Sequence, residues 1–388
     1  MENSPVPTFI LDTHHPWLYR NHKWLKSYPD VANALCDKSS SLWTNPDPND
    51  EIPADLFSRI NIDNNKAGPN RLGWDNAISR LGELRNCPAA LEDVRHLHVY
   101  IFLHEGKYSN PLVDPKMPSE LPGLFIDAFA SMPNLERLDW GLDIEATAAF
   151  GEEFARRNLT LPTVRHLVPG AQSHYLLAMC PALEILEAGS FFHHHSWNEL
   201  KREGRNSHLD LVRAASAVSS LKEFLMHDNW STEMLEEVLK AMPNLVKLTI
   251  QGSLFSIAHR YTNRDLEEAR EDGELLKRFL SILSKFPKLE HLILPSASYL
   301  ELGFDGGHWC GNAYHGKSGR EYGRSVLRTY IEKTEFAGDM AVKALPHLKT
   351  LTIDRDQATL IHKDNGDIEM SWPWTGRVED YVHEIYPQ

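Results

Sequence analysis

Three parts of the sequence hold residue types that could do chemistry. The stretch Gly311-Asn-Ala-Tyr-His-Gly316-Lys317-Ser318 matches Gly-x4-Gly-Lys-Ser, the pattern of a phosphate-cradling loop. In such a loop backbone N–H groups hold the phosphates, while the lysine and the hydroxyl meet the terminal phosphates and magnesium. That chemistry needs a buried strand directly ahead, and Gly303-Phe-Asp-Gly-Gly-His-Trp-Cys310 has no strand pattern. The match is read as coincidence within a glycine-rich loop. The loop still gathers Asp305, His308, Trp309 and Tyr314, and glycines beside aromatic and polar groups suit a binding mouth. The second part is His193-His194-His195. Adjacent histidines in an extended loop point in alternating directions, and no His-Glu-x-x-His or Cys-x-x-Cys partner accompanies them. Neither a metal site nor a cofactor is expected. The third is a set of His, Asp, Glu and Thr residues at fixed places in a repeat, and the repeat decides where they lie.

Met132-Pro-Asn-Leu135-Glu-Arg-Leu138-Asp-Trp140 recurs at Met242–Ile250, Phe286–Leu294 and Leu345–Ile353. Weaker copies carry Val164 and Leu167, Leu183 and Leu186, Leu221 and Phe224, and Val94 and Leu97, which makes eight. The template is apolar-Pro-x-Leu-x-x-Leu-x-apolar. Its last three positions alternate, so Leu248 and Ile250 share one strand face and Thr249 takes the other. Proline ends whatever helix precedes it. Helical patterns do precede it: Ser231–Met242 opens with a capping hydroxyl and presents Met234, Leu235 and Val238 at helical spacing, and Asp265–Phe286 does so with Leu276, Phe279 and Leu283. One unit cannot stand alone. Three buried apolar side chains give about 5–9 kcal/mol, whereas ordering some 25 residues costs about 1–2 kcal/mol each. Stacking of neighbours must make up the difference.

The Pro-x-Leu-x-x-Leu-x-Ile units with intervening helices resemble the degenerate leucine-rich repeats of fungal F-box-type proteins, over roughly Leu91–Asp354. The resemblance implies an α/β leucine-rich-repeat solenoid, with parallel strands on the concave face and helices on the convex face. It also implies ubiquitin-pathway adaptor duty, although residues 1–58 show no F-box opening. The expected organisation is an irregular N-terminal cap over 1–88, a solenoid over 89–360 and a C-terminal cap over 361–388, where Trp372 and Trp374 cover the last repeat. Template leucines lie 19 to 59 residues apart. The long intervals place rim insertions at 191–207 and 296–322.

Strand positions facing away from the core then form the candidate surface: His98, Asp139, Glu187, Thr249 and Ile293, flanked by His96, Arg137, His166, His227, Lys247, Gln251 and Asp354. With Asp305, His308 and Trp309 from the glycine-rich loop, the expected binding set is His98, Asp139, Glu187, His227, Thr249, Gln251, Asp305, His308, Trp309 and Asp354. Neighbouring strands could set an acid beside a base about 5 Å away. The favoured function is non-enzymatic recognition of a protein partner, with a small-molecule ligand as a lesser case. The alternative is an enzyme with its site under the 296–322 loop. A net charge of -14 argues against a nucleic-acid partner, and no apolar run is long enough for a membrane span. Four scattered cysteines and the lack of a basic-then-apolar leader point to a reducing home, cytoplasmic or nuclear.

Overall fold

The computed structural model describes residues 6–12, 15–20, 29–45, 51–63, 73–101, 116–188, 207–254, 273–304, 306–308, 310–363 and 366–387. The His193–His195 tract, most of the 191–207 insertion, Asp305 and Trp309 lie outside them. The chain divides into two mixed α/β units, Met1–Ser220 and Leu221–Gln388.

In the first unit, β1 (Arg59–Asp63), β2 (His96–Ile101), β3 (Arg137–Leu142), β4 (His166–Pro169) and β5 (Ile185–Ala188) pair in parallel and in chain order. Helices Gly73–Arg85, Leu121–Ala130 and Ile144–Arg156 carry the crossovers that parallel pairing requires. In the second unit, β6 (Glu223–His227), β7 (Lys247–Gln251), β8 (His291–Leu294) and β9 (Thr350–Ile353) repeat the arrangement. Their crossover helices are Thr232–Ala241, Glu274–Leu283 and Gly316–Ala344. Ser231 caps the first of these, its hydroxyl accepting from the Met234 N–H at 3.2 Å. The ladder ends in two antiparallel strands, β10 (Asp356–His362) and β11 (Ile368–Ser371).

Each of the eight template copies marks one strand, from β2 to β9. The second template residue falls on a common rung: Leu97, Leu138, Leu167 and Leu186 in one unit, and Phe224, Leu248, Leu292 and Leu351 in the other. All eight are buried. β1 is a ninth copy in other residues, with Phe57, Ile60 and Ile62 in the three apolar places, all buried. The turns are tied as well. The Ser58 carbonyl accepts both the Arg95 and His96 amides, Arg95 accepts those of Glu136 and Arg137, and Glu136 accepts those of Arg165 and His166. Lys222, Val246 and Glu290 do the same in the second unit. Helices cover the apolar strand face through aromatic contacts. Trp140 of β3 meets Phe125 at 5.0 Å and Phe150 at 5.3 Å, both edge-on, and all three are fully buried.

The long helix fixes the two tryptophans expected to cap the chain. Trp372 and Trp374 are buried and stack at 5.6 Å, and Trp374 Nε1 donates to Glu335. Gly338 lets that hairpin approach, because a Cβ there would stand 2.7 Å from the Trp372 ring.

The N-terminal segment is tied down by a buried ion pair. Arg80 and Glu83 sit on the Gly73–Arg85 helix, 2% and 0% exposed, with Arg80 Nη1 3.2 Å from Glu83 Oε2. Glu83 also accepts from the Thr8 and Phe9 amides and the Thr8 hydroxyl, at 2.8–3.0 Å. Cys36 and Cys87 form a disulfide, which corrects the reading of the four scattered cysteines as a sign of a reducing home. Their 51-residue separation hid the contact, since sequence spacing carries no information on tertiary nearness. The bond removes the support that unpaired cysteines lent to a cytoplasmic or nuclear home, because disulfides persist in oxidising compartments. Cys180 and Cys310 are free, and burial pushes the Cys180 thiol up to about 12. Among the described residues no helix is long and apolar enough to cross a membrane.

Two outcomes follow from this anchoring. Glu83→Ala leaves Arg80 buried without its carboxylate and is expected to cost about 3–5 kcal/mol in denaturant unfolding, while Arg80→Met with Glu83→Leu recovers only part of it, because the Thr8 and Phe9 amides still lose their acceptor. A single loss no larger than that of an exposed-site control rejects the buried-pair account. Reduction of Cys36–Cys87 frees a loop of that length and is expected to cost about 4 kcal/mol, read as a shift in the unfolding midpoint between oxidised and reduced protein.

Candidate functional site

β2 reads His96-Leu97-His98-Val99-Tyr100-Ile101, and its burial alternates with the sequence. Leu97, Val99 and Ile101 are inaccessible, while His96, His98 and Tyr100 are half-buried on the opposite face. Parallel register then decides their neighbours. Arg137 of β3 lies beside His96 and Asp139 beside His98, and His166 of β4 lies beside Arg137. Glu187 stands on β5.

These side chains form one connected row. Asp139 Oδ2 lies 2.7 Å from His96 Nε2 and 3.2 Å from His98 Nδ1, so each facing nitrogen must carry a proton to donate. Arg137 Nε donates to the other carboxylate oxygen, Oδ1, at 2.7 Å. Arg137 Nη1 lies 3.3 Å from His166 Nδ1, and His166 Nε2 lies 3.3 Å from Glu187 Oε2. A guanidinium can only donate, so His166 accepts on Nδ1 and presents Nε2–H to Glu187. The His98 ring stacks on Tyr100 at 6.2 Å, and Tyr100 packs on the buried Val168.

Asp139 is the hub of the row and only 5% exposed. Burial pushes its carboxyl up. Hydrogen bonds from His96 and His98, the charge on His96 and the Arg137 guanidinium together outweigh burial and hold it well below the usual carboxylate range. His96, His98 and Asp139 each offer one ligand atom, and these lie within 4.8 Å of one another.

The structure therefore joins His98, Asp139 and Glu187 of the expected set through residues outside it: His96, Arg137 and His166. Their signal was the two-residue period itself, which places them on the same face one step earlier in each strand. His227, Thr249 and Gln251 belong to the second unit, where His227 pairs in register with Gln251. Thr249 is 3% exposed, so its side chain is packed rather than presented. The polar face there is bridged by Glu223–Lys247 at 3.0 Å and by His291 Nδ1 with the Thr350 hydroxyl at 2.8 Å. Asp354 lies just past β9: its amide still donates to the Leu294 carbonyl at 2.9 Å, but it takes φ 59° in the tight turn that reverses β9 into β10, so it belongs to a hairpin and not to the strand face.

The loop after β8 offers less. Its His308 side chain is exposed and turned inward locally, Nδ1 accepting from the Cys310 amide at 3.1 Å. Gly311–Tyr314 is a 3-10 turn, and the Gly316–Ala344 helix follows it. No strand leads directly into Gly311, so the phosphate-loop geometry is missing at the described positions. Gly319 and Gly323 have packing reasons: a Cβ at Gly323 would stand 2.8 Å from the Tyr386 ring. Away from the charged row, helices Gly73–Arg85 and Leu121–Ala130 enclose a cavity of about 370 Å³ lined by Ile78, Leu81, Leu124 and Asp127.

Because its folded-state pKa is lowered, Asp139 makes a contribution that is complete above its unfolded value and lost as pH falls below about 4. With a chelator present, Asp139→Asn is expected to cost about 2–3 kcal/mol at neutral pH, where bonds to charged groups are broken. The gap to wild type should narrow on acidification to about pH 3, as read by urea unfolding. A gap independent of pH contradicts the assignment. A scan against protein-family models finds no match to this sequence, and a search of curated proteins finds no similar one.

Proposed function

We propose that the protein is a non-enzymatic recognition scaffold, a leucine-rich-repeat solenoid that binds a protein partner on its polar strand face. The observation that carries this reading is the connected row from His96 to Glu187, with donors and acceptors of both signs fixed on four adjacent strands. Strand-mounted groups that are already bonded to one another lose little freedom on binding, which favours specificity over adaptability. Register-matched copies with a helical crossover after most of them support the solenoid. The resemblance to F-box-type repeats makes a ubiquitin-pathway partner the first to test. A general base at Asp139 is disfavoured: three donors engage a carboxylate already held low, whereas such a base works best with a pKa near the operating pH.

The test is capture from cell extract on immobilised full chain, followed by titration of each purified candidate. Glu187→Lys reverses one end of the row and is expected to weaken binding at least about tenfold, with a salt-dependent association rate. Asp127→Lys, on the helix side, should leave affinity unchanged. A partner that binds Glu187→Lys as well as wild type places recognition elsewhere.

A further inference from the structure

We propose that His96 Nε2, His98 Nδ1 and Asp139 Oδ2 form a binding site for a divalent transition metal of the zinc class, with one coordination position left open. The inference goes beyond partner recognition and does not depend on it. Residues i and i+2 of one strand share a face, so His96 and His98 converge from β2, and register brings the Asp139 carboxylate in from β3. Asp139 Oδ2 stands 2.7 and 3.2 Å from the two nitrogens, and the three atoms lie within 4.8 Å of one another. Ligands around tetrahedral zinc at about 2.0–2.1 Å stand roughly 3.3 Å apart. Only small side-chain shifts separate the two arrangements.

The surroundings suit a metal ligand set. Arg137 holds Asp139 Oδ1, which leaves Oδ2 as a single donor and fixes the carboxylate plane. Tyr100 stacks on the His98 ring and limits its rotation. Two imidazoles with one carboxylate favour zinc, copper or nickel over magnesium or calcium, which prefer oxygen ligands. The cost is electrostatic, because the Arg137 charge opposes the ion. On binding, the metal replaces the two N–H groups that face Oδ2. In a neutral ring that proton moves to the other nitrogen, and in a charged ring it is released.

Calorimetric titration of chelator-treated full chain with zinc is the direct test. One equivalent should bind, and His98→Gln or His96→Gln should raise Kd at least about tenfold, beyond what an exposed-surface change produces. The triple variant His193→Ala, His194→Ala, His195→Ala should bind as wild type does, which separates this site from the histidine tract. Wild-type binding no tighter than in His98→Gln, or binding lost with the tract, overturns the proposal. Should both glutamine variants fail to fold, cobalt substitution of wild type still decides. Intense visible bands of a tetrahedral nitrogen–oxygen site support the assignment, and weak octahedral bands or none overturn it.

Discussion

The carbonyl just ahead of most of the parallel strands holds the rest in place. Ser58, Arg95, Glu136, Lys222, Val246 and Glu290 each present one oxygen to two successive amides of the following copy. The bond is backbone to backbone, so it does not depend on which side chain stands there. It sets the rotation of each strand about its axis, and a slip of one residue would move every Leu of the template to the other face. Burial of the leucine column and pairing of the carbonyls therefore enforce the same register. Neither would suffice alone: an apolar column tolerates some sliding, and a hydrogen-bond ladder is indifferent to which face is apolar.

Once register is fixed, the second face has no freedom in what it brings together. His96, Arg137 and His166 occupy one rung, and His98 and Asp139 the next. Placing so many titratable groups on neighbouring strands costs desolvation that only complementary bonding can offset. The row meets that condition by alternating roles: imidazole to carboxylate, carboxylate to guanidinium, guanidinium to imidazole, imidazole to carboxylate. Asp139, the most buried member, takes the most donors. The other members are more exposed, the Arg137 side chain most of all at 35%. The centre of the row is already satisfied by three donors.

Much of this was legible in sequence, and the failures have physical causes. The template marked β2 to β9 because Leu-x-x-Leu-x-apolar states both the turn anchor and the strand alternation. β1 escaped because Phe57, Ile60 and Ile62 fill the same volumes without leucine or proline. Asp354 was misplaced because the template describes the strand and not its exit, where a left-handed residue reverses the chain. The Cys36–Cys87 bond and the Arg80–Glu83 anchor join segments far apart in sequence with no periodic signature, so no local pattern could announce them. The triplet of His96, His98 and Asp139 needed lateral pairing: the 41-position separation of template anchors Val94 and Leu135 gives no hint of rung-to-rung contact.

That triplet also shows how magnitudes choose between two states of one site. Without a metal, Asp139 keeps hydrogen bonds to two imidazoles, each worth about 1.5–3 kcal/mol where a charged group takes part. A metal must replace them and overcome the nearby guanidinium. Structural zinc in four-ligand peptides binds with an apparent 10–16 kcal/mol or so, even after folding the peptide around it. A three-ligand site forfeits part of that, but here the strands have met the ordering cost in advance. The balance turns on Arg137, which lowers the field at the ion yet keeps the carboxylate aimed with one oxygen free. The same residue links the metal triplet to His166 and Glu187.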